Sequence, residues 1–390
     1  MKQHTNYSIK KNLILLFFLT IFLQIECNAQ TTDKNIELGK IITLNSKVLN
    51  EDRDIFVYLP VGYKQSQEKY PVIYILDGRG NFTFAMAISN FLSRIQRMPR
   101  SIVVGIPNTD RTRDFTPTHV QESKTSGGAD KFLDFMKEEL IPYIDNNYRT
   151  ESYRTLFGHS LCGMFAIYTL FEKPEMFNSF IAVSPYLQYD NQYVVNRVDS
   201  IITEQKNLNK CLYITIGDEP EYMESITRLE EILSSGTESL YWKTSKREGE
   251  NHASIPLKSF YDGLEFIYSG WQLSNEIIEK GLEAVKKHYS NLSDKYGFEV
   301  KPTEVVINAL GYQYLGKGEN EKALWFFKYN IKLYPNSANV YDSCGEAMEK
   351  SGMKDLALEN YKMAVKLGSL NNDGNLNIFK QNLERVESSN

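Results

Sequence analysis

Short apolar runs alternate with amphipathic stretches between residues 36 and 270. The runs are rich in β-branched and aromatic residues, and several are apolar throughout, which is typical of parallel strands buried on both faces. The predicted strands cover residues 55–60, 71–78, 101–108, 154–158, 179–185, 212–219 and 239–245. Between them, residues 128–144 and 223–236 have helical spacing. This alternation predicts an α/β fold with a doubly wound sheet.

The end of the chain carries a different, repeating pattern. Residues 310–333 align with residues 344–367, and every matched pair lies 34 positions apart. The matched pairs are Gly311 and Gly345, Gly318 and Gly352, Ala323 and Ala357, Phe327 and Tyr361, and Leu333 and Leu367. A 34-residue period with small and aromatic residues at these positions is typical of tetratricopeptide repeats, in which each repeat is a pair of helices.

These two patterns divide the chain into segments. The predicted segments are a signal peptide at 1–29, an α/β-hydrolase domain at 36–270, a helical linker at 271–300, and an all-α tetratricopeptide-repeat region at 301–390 with repeats at about 305–338 and 339–372. Because two repeats leave their outer apolar faces uncovered, we expect helices at 274–291 and 374–387 to cap the pair.

The N-terminal segment has the features of an export signal. Basic residues precede the apolar run at 13–23, which is shorter than a bilayer span. Cys27 and Ala29 are small residues at the two positions that a signal peptidase recognises. We therefore predict cleavage after Ala29 and a secreted or periplasmic protein of bacterial type with no transmembrane span. An uncleaved N-terminal anchor is the alternative.

Charge and cysteine content exclude two classes of function. The formal net charge is -5 and no basic run stands out, so we expect no nucleic-acid partner. The four cysteines form neither a CxxC motif nor a cluster with histidine, so no metal site is expected. Cys162, Cys211 and Cys344 are predicted to be small buried residues.

The stretch FGHSLCG, residues 157–163, is the main candidate for chemistry. A strand-like run precedes Ser160 and an apolar helical run follows it, which is the context of a nucleophile elbow. Such a strained turn needs small neighbours. Gly158 meets this need, whereas Cys162 stands where the usual pattern has its second glycine. The following helix would bring the Leu161 N–H to a developing oxyanion.

A serine nucleophile needs a base, and the base needs an orienting acid. With the chain order serine, acid, histidine, the loop residue His252 is the candidate base. Asp218, Glu219 and Glu221 all follow the carboxyl end of the intervening strand, where open α/β sheets place their sites. Position alone does not choose among these three carboxylates, and at least two of them are expected to be solvated loop residues.

Two earlier loops supply further candidates. The turn after the strand at 71–78 offers the N–H of Gly78 or Arg79 as a second oxyanion donor. The loop after the next strand carries Asp110, Arg111 and Arg113. These three residues form either a salt-bridged loop or a rim that binds an anionic or polyhydroxy substrate.

Several of these motifs, in this order, resemble the Putative esterase family, which includes the esterase D group and siderophore esterases. The motifs are YPVIYILDG, VVGIPNTDRTRDFTP, YRTLFGHSLCGMFAIYTL, IAVSPY, YITIGDEPEY and NHASIPLKSFYDGLEFIY, within about residues 40–270. The resemblance implies an α/β-hydrolase fold and ester hydrolysis through an acyl-enzyme, without a metal or other cofactor. It implies that Ser160 is the nucleophile and His252 the base, and it favours Glu219 as the acid. Cys162 departs from the family pattern, which puts the efficiency of the elbow in question.

Together, these features predict a serine esterase that hydrolyses siderophore-type esters, or aryl or acyl esters of glycans. Two alternatives use the same sequence. One is a catalytically weak or inactive hydrolase-fold binding protein with a repeat-based interaction tail, and the other is an acyltransferase. The repeats favour an additional protein or peptide partner.

Overall fold

The structure, a computed structural model, describes residues 38–202, 204, 208–236 and 239–388. The predicted signal peptide lies outside these residues. Within them, eight strands form one sheet in the order β1-β2-β4-β3-β5-β6-β7-β8. The strands are β1 Lys40–Ser46, β2 Glu51–Tyr58, β3 Tyr70–Leu76, β4 Ile102–Ile106, β5 Thr150–His159, β6 Ser179–Val183, β7 Lys210–Ile216 and β8 Leu240–Lys246. Strands β1 and β2 run antiparallel to their neighbours, and β3 to β8 are parallel.

Helices cover both faces of this sheet. They are α1 Gly78–Arg94, α2 Arg111–Phe115, α3 Ala129–Phe135, α4 Ile141–Asn147, α5 Leu161–Glu172, α6 Tyr189–Ile201, α7 Met223–Gly236 and α8 Ile255–Ile267. A π-helical turn at Met136–Leu140 joins α3 to α4, so the predicted helix at 128–144 forms a longer helical segment than expected.

Alternation along the buried strands builds a core on each face of the sheet. Every residue of β3 is buried. Because successive side chains of a strand point to opposite faces, Tyr74 enters one core, with Phe165 of α5, while Ile73 enters the other, with Phe260 of α8. This two-sided burial is the physical reason that the strands are apolar throughout, and it confirms the predicted α/β-hydrolase class of fold.

One of the two edge strands, β1, was not predicted from the sequence. Strand β1 lies at the sheet edge, and most of its side chains are exposed or half-buried. Its sequence, KIITLNS, mixes polar and apolar residues because one edge and much of one face meet solvent. Strand β1 lacks the continuous apolar run that marks buried strands such as β3.

The remaining helices form an all-α region, as expected from the fold class. They are α9 Asn275–Glu279, α10 Leu282–Tyr296, α11 Glu304–Gly316, α12 Asn320–Leu333, α13 Ala338–Lys350, α14 Lys354–Leu370 and α15 Leu376–Ser388. The single helix expected at 274–291 was wrong in its extent. The chain breaks at Gly281, whose positive φ of 87° ends α9 and starts α10 in a new direction.

Two helical hairpins occupy the predicted repeats. In the first, a Cβ on Gly311 would lie 2.6 Å from the ring of Phe327, and in the second, a Cβ on Gly345 would lie 2.9 Å from the ring of Tyr361. Glycine therefore lets the paired helices approach closely at both of the positions that are 34 residues apart. The hairpins agree with the predicted period, while their assignment to the tetratricopeptide class and the segment boundaries stay predictions.

Helix α10 lies in two cores at once. Its Val285 packs in the core of the helical region. About two and three turns later, Leu292 and Tyr296 pack in a core of the sheet, where the Tyr296 ring lies 5.3 Å from the rings of Tyr153 and Tyr268. The predicted linker is therefore a packed element of the fold. No helix in the described part of the chain is both long and apolar enough to span a bilayer.

A cleft of about 1030 Å³ separates the start of the sheet from the helical region. Its walls include Tyr70 and Glu151, at the amino ends of β3 and β5, and residues 333–337 from the end of α12 and the following loop. The helical region thus lies beside the edge of the sheet where the parallel strands begin.

Candidate active site

Ser160 occupies a strained turn between β5 and α5. Its φ and ψ are 59° and −118°, a conformation that L-residues adopt only when the surroundings impose it. The Ser160 N–H donates to the Val183 carbonyl at 2.8 Å, and the Ser160 carbonyl accepts from the N–H groups of Met164 and Tyr186, both at 3.0 Å. These three hydrogen bonds fix the turn that the elbow motif predicted.

The turn packs tightly against two glycines. A Cβ on Gly158 would lie 2.0 Å from the Cys162 carbonyl oxygen, and a Cβ on Gly163 would lie 3.0 Å from the Val183 carbonyl oxygen. The side chain at position 162 points elsewhere and is fully buried. The second small residue that this elbow needs is therefore Gly163, and Cys162 is sterically compatible with the turn.

The cysteines behave as the sequence predicted. Cys162, Cys211 and Cys344 are all buried free thiols. Burial raises the pKa of the Cys211 thiol to about 12 and that of the Cys344 thiol to about 11. All three are therefore packing residues with poorly reactive thiols.

Of the three candidate acids, Glu219 is the one that contacts His252. The carboxylate oxygen Oε1 of Glu219 is hydrogen-bonded to Nδ1 of His252, and its Oε2 accepts from Ser184 Oγ at 2.5 Å and from the Gly217 N–H at 3.0 Å. Asp218 instead accepts from the Gly249 N–H, and both Asp218 and Glu221 are exposed.

The Glu219 carboxylate is held in its charged form. Only 4 % of the residue is exposed, and burial alone would raise the pKa of the carboxyl group. Hydrogen bonds from Ser184, His252 and the Gly217 backbone outweigh burial, and the pKa stays below its ordinary value. A buried, ionised carboxylate on Nδ1 orients an imidazole with Nε2 directed to the opposite side.

Aromatic rings surround His252. The ring of His159 lies 4.5 Å away and the ring of Tyr222 lies 5.4 Å away. Burial, followed by the nearby His252, lowers the pKa of His159 to about 4, so His159 is neutral near pH 7. Burial raises the pKa of Tyr222, whose hydroxyl also interacts with the Ser160 hydroxyl. Tyr222 thus contacts both the serine and the histidine.

Sequence reasoning missed Ser184 and Tyr222. Both follow the carboxyl ends of parallel strands, Ser184 after β6 and Tyr222 after β7. Position at this edge was the available signal. This signal selected the three carboxylates as candidates, whereas a serine and a tyrosine in loops form no recognisable motif.

Two helices begin beside the serine. Leu161 is the first residue of α5, and Gly78 and Arg79 are the first two residues of α1. The N–H groups of a first helical turn have no acceptor within the helix and lie at the positive end of its dipole. A Cβ on Gly78 would lie 2.7 Å from the Ile106 backbone nitrogen, so only glycine allows this turn to pack against β4.

The three residues predicted to bind substrate each have an internal partner. Arg111 forms an ion pair with Asp77, Arg113 binds Glu51 and Asp114, and Asp110 caps α2 by accepting from the Arg113 N–H at 3.0 Å. The structure therefore has the salt-bridged loop that was the alternative for this segment. A role for Asp110, Arg111 and Arg113 in binding substrate stays a prediction.

The fold and the arrangement of this edge define an α/β-hydrolase. The chain matches the family described as "Putative esterase" over residues 46–256, and it belongs to that family. It is a hydrolase of the esterase type.

Two relatives are named as esterases, one of them as a siderophore esterase. The chain is 31 % identical over 218 residues to the ferri-bacillibactin esterase BesA of Bacillus subtilis (strain 168), covering 48 % of this chain and 75 % of that protein. It is 29 % identical over 178 residues to the siderophore enterobactin esterase of Emericella nidulans, covering 38 % of this chain and 58 % of that protein.

Solved structures share the fold. An IroE-like serine hydrolase from Shewanella oneidensis is 26 % identical, with a TM-score of 0.68, and the match covers 76 % of this chain and 99 % of that one. An uncharacterised protein from Capnocytophaga ochracea DSM 7271 is 18 % identical, with a TM-score of 0.63, and covers 90 % of this chain and 99 % of that one. The second match shares the fold over a range that includes most of the helical region.

Proposed function

We propose that this protein is a serine esterase that hydrolyses siderophore-type carboxylic esters through an acyl-enzyme. The observation that carries the proposal is the buried Glu219 carboxylate on Nδ1 of His252, at the edge of the sheet where Ser160 is held in a strained turn. A nucleophile, a base and an orienting acid are the parts that acyl transfer needs.

In the proposed acylation, the Ser160 Oγ attacks the ester carbonyl carbon while Nε2 of His252 takes the hydroxyl proton. The N–H groups of Leu161 and of Gly78 or Arg79 bind the oxyanion of the tetrahedral intermediate. Collapse of that intermediate breaks the bond to the alcohol, which leaves with the proton from His252. Water then attacks the acyl-enzyme by the same steps, giving its proton to the imidazole and releasing the acid and free Ser160.

The substrate class is proposed from two observations. Relatives are named for siderophore esters. In addition, the rings of Tyr186 and Tyr222 lie 6.1 Å apart beside Ser160, and Tyr186 is 39 % exposed. Exposed aromatic side chains next to a nucleophile offer a stacking surface for an aryl group. This favours a siderophore whose ester-linked units carry aromatic rings over a small aliphatic ester.

The test compares the full chain with the variants Ser160→Ala and His252→Ala on a panel of esters. The panel contains an aryl-bearing siderophore lactone, a feruloyl glycan ester and an acetylated glycan, with release of acid as the readout. We expect the lactone to be cleaved fastest and each variant to lose at least 10³-fold in kcat. Equal rates in all three proteins would show a binding protein instead, and faster cleavage of a glycan ester would refute the proposed substrate class.

We also propose export, with cleavage after Ala29. The basis is the arrangement of basic, apolar and small residues at positions 1–29. N-terminal sequencing of the protein isolated from a bacterial periplasm should begin at Gln30. A mature protein that begins at Met1 would refute cleavage and favour the uncleaved anchor.

A further inference from the structure

Asp77 has an unusual position at the proposed oxyanion turn. It is the residue immediately before α1, with φ 52° and ψ 44°, yet its side chain makes no capping hydrogen bond to that helix. An aspartate at this position ordinarily accepts from the N–H of the second or third helical residue. Here the Gly80 N–H already donates to the Asp77 carbonyl at 3.0 Å, so such a capping bond would use the Arg79 N–H, which the proposed mechanism offers to the oxyanion.

Arg111 draws the Asp77 carboxylate away from the helix. The guanidinium Nε and Nη2 of Arg111 each donate to Asp77 at 3.0 Å, and the Asn108 side-chain amide donates to Asp77 Oδ1. Paired contacts between a planar guanidinium and a carboxylate fix geometry as well as charge. The same Arg111 Nη2 also donates to the His159 carbonyl at 3.3 Å, which links the pair to the residue before Ser160.

Cys162, on α5, contacts the Asp77–Arg111 pair. Its side chain is fully buried, and its thiol interacts with the Asp77 carboxylate and the Arg111 guanidinium. Burial raises the pKa of this thiol well above its ordinary value, so it stays protonated. The residue that departs from the family pattern therefore fills the space between the elbow and the Asp77–Arg111 pair.

We propose that the Asp77–Arg111 pair, packed under Cys162, is a positioning device that keeps a negative carboxylate off the start of α1. The amide of Arg79 then remains free for the oxyanion. A carboxylate left to cap α1 would occupy this donor and repel the developing negative charge. This inference rests on the proposed function, because it assigns a role to the same oxyanion donors.

The test is a double-mutant cycle on the full chain. Arg111→Met frees the Asp77 side chain to cap α1, and we expect kcat to fall by about 10²–10³-fold, the typical effect of losing an oxyanion donor, with KM changed less than about threefold. Asp77→Gly removes the carboxylate while suiting the left-handed backbone, and it should retain kcat within about tenfold. Combining the two substitutions should restore kcat at least about tenfold above Arg111→Met alone.

A purely structural role predicts the opposite sign of coupling. If the pair only holds two loops together, the double variant will be no faster than Arg111→Met, and this result would overturn the proposal. Wild-type kcat in Arg111→Met would overturn it as well. Should Arg111→Met not fold, Arg111→Lys with and without Asp77→Gly carries the same comparison, because lysine cannot make the paired contact.

Two controls separate the outcomes. Arg154→Met removes the half-buried ion pair between Arg154 on β5 and Asp145 on α4, and the melting temperature of this variant should fall while kcat stays unchanged. Inhibition by an arylboronic acid, which forms a tetrahedral adduct, should weaken in Arg111→Met and recover in the double variant. Failure of the proposed function would show as an inactive wild type, whereas failure of this inference would leave an active wild type without rescue.

Discussion

Alanine at position 158 gives a severe local clash, and its size follows from the structure. A Cβ there would lie 2.0 Å from the Cys162 carbonyl oxygen and 2.4 Å from the Cys162 carbonyl carbon, whereas ordinary contact begins near 3.4 Å. Both neighbours are backbone atoms, so no side chain can rotate away. The elbow must shift by about 1 Å, and a misplacement of that size at a reacting group can cost about 10²-fold in rate.

The same clash should also lower the free energy of unfolding. Overpacking typically costs about 1–3 kcal/mol, and we expect about 3 kcal/mol here because backbone has to move. Gly316→Ala is the control, since a Cβ on this exposed helical glycine meets nothing within 4 Å. Because Gly316 is the last residue of α11, alanine there should change the free energy of unfolding by no more than about 0.5 kcal/mol.

The assay pairs urea unfolding with kcat/KM on an aryl ester, for wild type and both variants. Covalent labelling by a fluorophosphonate reports the elbow independently of substrate binding. We expect Gly158→Ala to lose about 10²-fold in kcat/KM and in labelling rate. Near-wild-type stability and labelling in Gly158→Ala would refute the steric argument.

Three further predictions follow from the site and the packing of the helical region. Glu219→Gln should lower kcat by about 10²–10⁴-fold because the imidazole loses its charged partner, while Glu221→Gln should leave steady-state kinetics unchanged; equal effects would contradict the choice of acid. Folding lowers the pKa of His159 from 6.5 to about 4, so the unfolded chain binds more protons than the folded chain between these pH values. The free energy of unfolding should therefore be highest above pH 6.5 and fall by up to about 3 kcal/mol as the pH drops towards 4. His159→Gln should flatten that dependence in urea unfolding measured at pH 7.5 and pH 5, and an unchanged slope would contradict the lowered pKa. Truncation after residue 301 should keep esterase activity. Truncation after residue 270 should yield insoluble protein, because it removes α10 from the sheet core. Soluble, active protein from the shorter chain would show that α10 is dispensable.

The buried strands could be predicted because burial on both faces requires an apolar side chain at nearly every position. Strand β1 could not, since only part of it is covered. The break at Gly281 was also hidden, because the apolar spacing continues across it and only the positive φ of that glycine turns the chain. Tertiary geometry, rather than local pattern, decides both features.

The choice of acid shows the same limit within the site. Asp218 and Glu219 are neighbours in sequence and face opposite environments. A Cβ on Gly217 would lie 2.4 Å from the Glu250 carbonyl oxygen, so this glycine brings the end of β7 against the loop that carries His252. The Asp218 N–H donates to that same carbonyl at 2.7 Å, which leaves Glu219 to point inward. Such a loop-to-loop contact has no signature in the sequence.

The sequence also identified Arg111 without its role. An arginine in a loop near a nucleophile suggests a contact with substrate, and the sequence shows no partner. Asp77 lies 34 positions earlier, at the end of another strand. Parallel strands bring such residues together at one edge of the sheet, but the pattern along the chain does not say which side chains pair there.

The position of the helical region determines where a partner bound to it would lie relative to Ser160. The region borders the cleft at the amino ends of the strands, whereas Ser160, Glu219 and His252 lie beyond the carboxyl ends. Helix α10 packs in both cores and so joins the helical region to the sheet. A partner bound to the helical region would therefore lie at the opposite end of the strands from Ser160, Glu219 and His252.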